Sequence, residues 1–278
     1  MTESNLPQIV GPSPKQTRRH RRHILQWRVA SAMRGMSGSA QAEGRDDPQL
    51  RDFAIAVIAV GARFRRWAGV LIESVRARGG YGGTIYVVTD TLDAFADYDG
   101  VIAIPVATTR HSLVAKTCKT YLYRWIPKRY ILYVDADIII GQPIVDWCRN
   151  ALNGLSGHSA LFYRDFGSRD MPYHGGLILM DSTRCAALFD RWRQQLNSGR
   201  FFKDQEALKR IVLPSEIDFF PQSGLCFPDH KMIAEQRTAC FVHLTRERYT
   251  QLGDATIRHY LVDVLDVVSV NERLDFSK

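Results

Sequence analysis

A chain of 278 residues that is 45% hydrophobic can bury a sizeable core in one domain plus a small appendage. No apolar run reaches the ~20 residues of a membrane span, and no apolar segment follows a basic start as in a secretory signal. Five widely spaced cysteines without a Cys-x-x-Cys pair argue against a zinc site or disulfide framework and for reduced thiols in the cytoplasm.

The net charge of +8 raises the question of nucleic acid. Much of that charge sits in one cluster, Lys15 and Arg18 to His23. There is no helix-turn-helix or ribonucleoprotein signature, so no specific nucleic-acid partner is expected. Residues 1–50 carry this cluster between proline-rich and Gly/Ser-rich segments, which predicts a flexible basic extension. It reads first as a solvated tail. The second reading is a peripheral contact with an anionic membrane surface, helped by Ile24, Leu25, Trp27 and Val29. Residues 51–278 are expected to form the ordered domain.

The domain opens with a fully apolar run at 53–60, which predicts a strand buried on both faces. Gly61 ends it, and Trp67, Val70, Leu71 and Val75 at helical spacing predict a helix over 65–77. A second strand follows at 84–88, before Asp90. Strand, helix, strand at this spacing is a βαβ unit, and a nucleotide is expected at the carboxyl ends of its strands. No Gly-x-Gly-x-x-Gly and no Walker lysine follow the first strand, which disfavours dinucleotide enzymes and P-loop ATPases. A short strand at 101–104 and a helix over 112–125 come next, the helix carrying Lys116 and Lys119. For each lysine the base-rate reading is a solvated helix face.

Residues 130–140 read Tyr-Ile-Leu-Tyr-Val-Asp-Ala-Asp-Ile-Ile-Ile. An aspartate inside such a run needs a partner, because a buried carboxylate must be paired, hydrogen-bonded or metal-bound. Asp135 and Asp137 are therefore expected at the carboxyl end of a strand, side chains on one side, suited to a hard divalent cation carrying a diphosphate. The plainer reading is a strand that ends in a polar turn.

Further on, a strand at 160–163, a polar loop at 164–172 and a buried strand opened by Gly175 and Gly176 are expected. Ser182 is expected to cap a helix to Leu196, whose stripe of Cys185, Leu188, Phe189, Trp192 and Leu196 reads as core. Asp204 opens the next helix. His243 lies on a short apolar strand, where a lone histidine is more often structural than a ligand.

Four segments taken together resemble the retaining GT-A glycosyltransferases, in particular the glycogenin and bacterial lipooligosaccharide galactosyltransferase group. They are the stretch from Lys119 to Asp137, His174-Gly175-Gly176, Asp204-Gln205 and Val242-His243. The resemblance spans residues 53–245. It implies an α/β GT-A fold, a mostly parallel Rossmann-like sheet flanked by helices.

It also implies roles. Asp135, Asp137 and His243 would hold Mn²⁺ or Mg²⁺, and Asp135 and Ala136 would lie near the nucleotide of a UDP-sugar donor. Lys119 would face the donor phosphate or sugar, Gly175 and Gly176 would line the sugar pocket, and Asp204 and Gln205 would sit near the anomeric carbon. Ala59, Val60, Gly61 and Asp90 would border the base. The acceptor would be a hydroxyl of a glycan, a lipid-linked sugar, a protein or a small molecule.

Two departures stand out. His174 replaces the family's usual asparagine, and Arg246 or Arg248 would have to replace its late phosphate-gripping lysine. The alternatives are a nucleotidyltransferase, for which residues 59–63 make a poor triphosphate loop, and a non-catalytic protein acting through its basic tail.

Overall fold

The computed structural model describes residues 47–107, 111–164, 172–198, 200, 203–221, 224–226 and 239–244, with backbone alone for 111–114. Residues 1–46 of the expected basic extension, the 165–171 part of the expected loop, Arg246 and Arg248 lie outside these residues.

A seven-stranded sheet forms the centre. Its strands are β1 (Phe53–Ala59), β2 (Ile85–Thr89), β3 (Val101–Pro105), β4 (Tyr130–Val134), β6 (Ala160–Arg164), β7 (Tyr173–Asp181) and β8 (Ile217–Phe219), in the order β3-β2-β1-β4-β7-β6-β8. β1 is parallel to β2 and β4, and β2 to β3. β7 runs antiparallel to both β4 and β6. The mostly parallel sheet expected from the sequence thus has one reversed strand. A buried antiparallel strand and a buried parallel one present the same continuous apolar run, so hydropathy does not separate them.

Strand alternation builds two core layers. Phe53, Ile55, Val57 and Ala59 of β1 face one cluster, and Ala54, Ala56, Ile58 and Val60 face the other. Helix α1 (Ala62–Ala77) covers the first face through Trp67, Leu71 and Val75. On the second face lie α2 (His111–Lys119) and α3 (Leu122–Trp125). With them is α5 (Ala186–Asn197), whose Leu188, Phe189, Trp192 and Leu196 form the expected core stripe. Each such fully buried large apolar side chain contributes roughly 1.5–3 kcal/mol. α4 (Val145–Gly154) packs Trp147 and Cys148 into the first cluster. Leu50, 3% exposed, belongs to that cluster too, and Asp47 pairs with Arg149, so packing begins slightly ahead of the expected boundary at residue 51. Among the described residues no helix is long and apolar enough to cross a membrane.

Three local expectations change. The run 130–140 is two strands in different sheets: β4 ends at Val134, and β5 (Ile138–Ile140) pairs with β10 (Phe241–His243) in a small sheet completed by β9 (Leu225–Cys226). The helix expected over 112–125 breaks at Thr120, whose hydroxyl donates back to the Thr117 carbonyl at 2.7 Å, competing with the helical ladder. Ser182 does not cap the next helix. Asp181 organises that corner instead, its Oδ1 accepting from the Thr183 amide and hydroxyl, and α5 begins at Ala186.

The Asp181 side chain is buried and also accepts from Arg129. Burial opposes its charge, but Thr183 and Arg129 prevail and hold its carboxyl below the ordinary 3.8. A carboxyl depressed on folding stabilises fully above its unfolded pKa, and the benefit is lost as pH falls through the folded value. Denaturant unfolding is therefore expected to show stability falling below about pH 4. Asp181→Asn is expected to lower stability at pH 7 and to make that acid loss shallower.

Candidate active site

The two-sheet junction creates the site. Residues 135–137 form a tight turn between β4 and β5, closed by the Ile138 amide donating to the Asp135 carbonyl at 3.0 Å. The Asp135 amide donates to the Gly176 carbonyl at 2.8 Å, which ties the turn to β7. The Leu244 amide donates to the Asp137 carbonyl at 2.8 Å, which ties it to the end of β10. The acids sit at the carboxyl end of β4 as expected, but in a turn rather than an extended segment. The plainer reading of the sequence was right about local shape.

β10 runs antiparallel to β5 with His243 opposite Ile138, so the ring arrives beside Asp137. His243 Nε2 lies 3.1 Å from Asp137 Oδ1. Donor atoms of Asp135, Asp137 and His243 all lie within 4.8 Å of one another. Two carboxylates and one imidazole so grouped could hold a divalent ion. Burial works against charging His243, but Asp137, with Asp135 behind it, outweighs that and raises its pKa.

Lys119 ends α2 and is buried, not solvated. Its Nζ lies 3.1 Å from Asp135 Oδ1, 2.9 Å from Asp204 Oδ2 and 2.9 Å from the Gly175 carbonyl, and 5.0 Å above the Tyr133 ring. An ammonium has three N–H donors, and each of these acceptors takes one. The resemblance implies that Lys119 faces the donor phosphate or sugar; in the structure it clamps two acids and a backbone carbonyl. Burial alone would lower its pKa, but Asp135 and Asp204 raise it well above the ordinary value, so it stays charged. Asp135 gains in return. Burial opposes its charge, yet Lys119, His243 and the Tyr133 hydroxyl hold its carboxyl below the usual range.

Asp204 begins α6 (Asp204–Lys209). Its carbonyl accepts from the Trp192 indole at 2.9 Å, and its Oδ1 accepts from the Gln205 amide at 3.1 Å. Both carboxylate oxygens are therefore engaged. The two glycines of β7 fill the gap between these acids. A Cβ on Gly175 would stand 3.1 Å from Asp204 Oδ2, and one on Gly176 only 2.5 Å from Asp135 Oδ2 and 2.7 Å from His174 Cε1. Gly176→Ala is expected to push Asp135 off its position. Mn²⁺ affinity measured by calorimetry should fall more than tenfold while the far-ultraviolet circular dichroism stays native.

The third group lies at the ends of β1 and β2, on the same sheet edge. Ala59 and Val60 are buried. Gly61, at φ 89°, starts α1 in a conformation that favours glycine. Its amide donates to Asp90 Oδ2 at 3.1 Å, and Arg65 pairs with Asp90 Oδ1. Asp90 thus shapes this turn. The Gly61 N–H, bound to Asp90, is not open to a triphosphate, which counts against the nucleotidyltransferase alternative.

The structure brings together Lys119, Asp135, Asp137, His174 to Gly176, Asp204 and His243. Sequence reasoning missed Tyr133, although its place two residues before Asp135 on one strand was a usable signal. It also gave Arg65 no part, and it treated His174 only as a departure.

This architecture is the GT-A fold expected from the sequence. No known family model matches the chain, and no curated protein matches it in sequence. Solved structures do match. One is the galactosyltransferase LgtC in complex with donor and acceptor sugar analogues (TM-score 0.58, 12% identity, 78% of this chain and 96% of that one). Another is the apo form of the glycosyltransferase GlyE of Streptococcus pneumoniae TIGR4 (TM-score 0.51, 9% identity, 69% of this chain). A third is the bifunctional glycosyltransferase WbbM (TM-score 0.50, 10% identity, 69% of this chain). The match spans 54% of the GlyE chain and 45% of the WbbM chain. The likeness is one of fold.

Proposed function

We propose that this chain is a metal-dependent glycosyltransferase. It moves a hexosyl group from a nucleoside-diphosphate sugar, a UDP-sugar foremost, to a hydroxyl acceptor with retention of configuration. The observation that carries this reading is the convergence of Asp135, Asp137 and His243 on one small volume beside the Lys119 clamp. The GT-A fold supports it.

Mn²⁺ or Mg²⁺ held by Asp135, Asp137 and His243 would supply Lewis-acid stabilisation of the diphosphate leaving group. Lys119 acts as a positioning residue, holding Asp135 and Asp204 close together and fixed. Gly175 and Gly176 line the sugar pocket, their lack of side chains letting Asp204 and Asp135 come up beside the β7 backbone, and Ala136 lies toward the nucleotide. The β1 end, Ala59 to Gly61, with its turn held by Asp90, borders the base. Asp204 and Gln205 face the reacting sugar. A carboxylate with both oxygens hydrogen-bonded is a poor nucleophile, which favours attack by the acceptor on the leaving-group face, with Asp204 and Gln205 supporting the cationic transition state.

The acceptor class is a hydroxyl of a glycan, a lipid-linked sugar, a protein or a small molecule. Residues 51–278 form the transferase domain of this reading. It places the protein in the cytoplasm.

The test incubates the protein and Mn²⁺ with a panel of nucleotide sugars and follows nucleoside diphosphate release, with the anomeric product read by NMR. EDTA-sensitive release from a UDP-sugar supports the proposal. Pyrophosphate made from UTP and a sugar phosphate, with no diphosphate release, would replace it with nucleotidyl transfer.

A further inference from the structure

His174 lies on β7 immediately before the two glycines and is 5% exposed. Its ring meets His243 edge to face, with centroids 4.9 Å apart and planes at 84°. Its Nε2 is 3.1 Å from His243 Nδ1, and its Nδ1 accepts from the Gly176 amide at 3.2 Å. Tyr163 packs edge-on against its other side, paired with it across a bulge in β6.

We infer that His174 is the positioning residue of the metal site: it orients His243, fixes its tautomer, and links ion binding to the Gly175-Gly176 backbone. This rests on the metal-site reading above.

The argument is an accounting of protons. A neutral imidazole carries one N–H, on either nitrogen. The Gly176 amide donates to His174 Nδ1, so the His174 proton is on Nε2. That proton points at His243 Nδ1, which accepts it, so the contact geometry leaves His243 a single proton even though Asp137 favours a second. The His243 proton is then on Nε2, facing Asp137 Oδ1. Three bonds run in one direction, from Gly176 through both rings to Asp137.

A cation on His243 Nε2 needs the lone pair there, so the His243 proton must move to Nδ1. His174 Nε2 must then accept, and its own proton must move to Nδ1, where it opposes the Gly176 N–H. Each ring holds one proton before and after. The bond from Gly176 is the one that breaks. Ion binding therefore reverses the tautomer of a residue that does not touch the ion and frees an amide beside the sugar pocket. Outer partners of this kind typically alter metal affinity ~10- to 100-fold.

The experiment uses the full chain labelled with ¹⁵N-histidine. Long-range imidazole spectra are recorded without metal and with Mg²⁺, which is diamagnetic. The expected result is His174 protonated on Nε2 without metal and on Nδ1 with it, together with faster exchange of the Gly176 amide. In parallel, Mn²⁺ affinity is measured for two variants. His174→Leu should bind roughly 10- to 100-fold more weakly. His174→Gln, whose amide oxygen can accept from His243 Nδ1, should restore most of the affinity.

An unchanged His174 tautomer in the metal-loaded protein overturns the inference and leaves the metal site standing. So does full affinity in His174→Leu. A wild-type chain that takes up neither ion removes the metal site itself, and with it this role. The tautomer measurement needs no variant, so it decides the matter even if His174→Leu fails to fold.

Discussion

Lys119→Met is expected to lower folding stability by about 3–5 kcal/mol at pH 7, because it strands charged groups in a buried site. The lysine side chain is 8% exposed and bridges Asp135 and Asp204. Without it two carboxylates face each other with no cation between them. One of them will take a proton, and the cost will shrink as the pH is lowered toward the carboxylate range. Urea unfolding at pH 7 and pH 5 measures this directly: the deficit should be larger at pH 7. Donor turnover should be lost at both, since Asp135 no longer holds its place. Equal stability of variant and wild type at pH 7 would mean that Lys119 is not a buried ionic clamp.

Asp137→Ala is expected to behave in the opposite way, with a large loss of function and a small loss of stability. Its side chain is 21% exposed and pairs with His243 Nε2, so its removal should cost only about 1 kcal/mol of folding energy. Its place in the turn is held by backbone, through Leu244 N–H to its carbonyl. Metal affinity should fall by more than the roughly 10- to 100-fold that loss of an outer partner costs, because a ligand atom itself is gone. Metal titration and thermal unfolding of the same preparation separate the two effects.

The sequence carried the architecture well where periodicity was strong. The buried strand at 53–60, the helix after Gly61 and the α5 stripe all stand where the pattern puts them. It was less informative where two elements share one composition. Residues 130–140 are apolar on both sides of the acids, and only the distant partner β10 reveals that the last three isoleucines belong to another sheet. The reversed direction of β7 was hidden for the same reason.

At the site, the resemblance grouped residues that nothing local connects. Lys119 is 85 positions from Asp204, and its helix gave no sign that it would be buried rather than solvated. His243 looked structural by the base rate until the resemblance implied a metal ligand there, and in the structure its ring lies beside Asp137. The contact between His174 and His243 spans 69 positions and has no signature in either segment. Long-range pairings of single polar side chains are set by tertiary packing, not by spacing along the chain.

The most direct measurement of the central claim is calorimetric titration of UDP, alongside other nucleoside diphosphates, with and without Mn²⁺, for the wild type and Asp137→Ala. The expected result is UDP binding that requires Mn²⁺ in the wild type and disappears in the variant. Absence of metal-linked binding for every nucleotide, or undiminished binding in Asp137→Ala, would contradict the account.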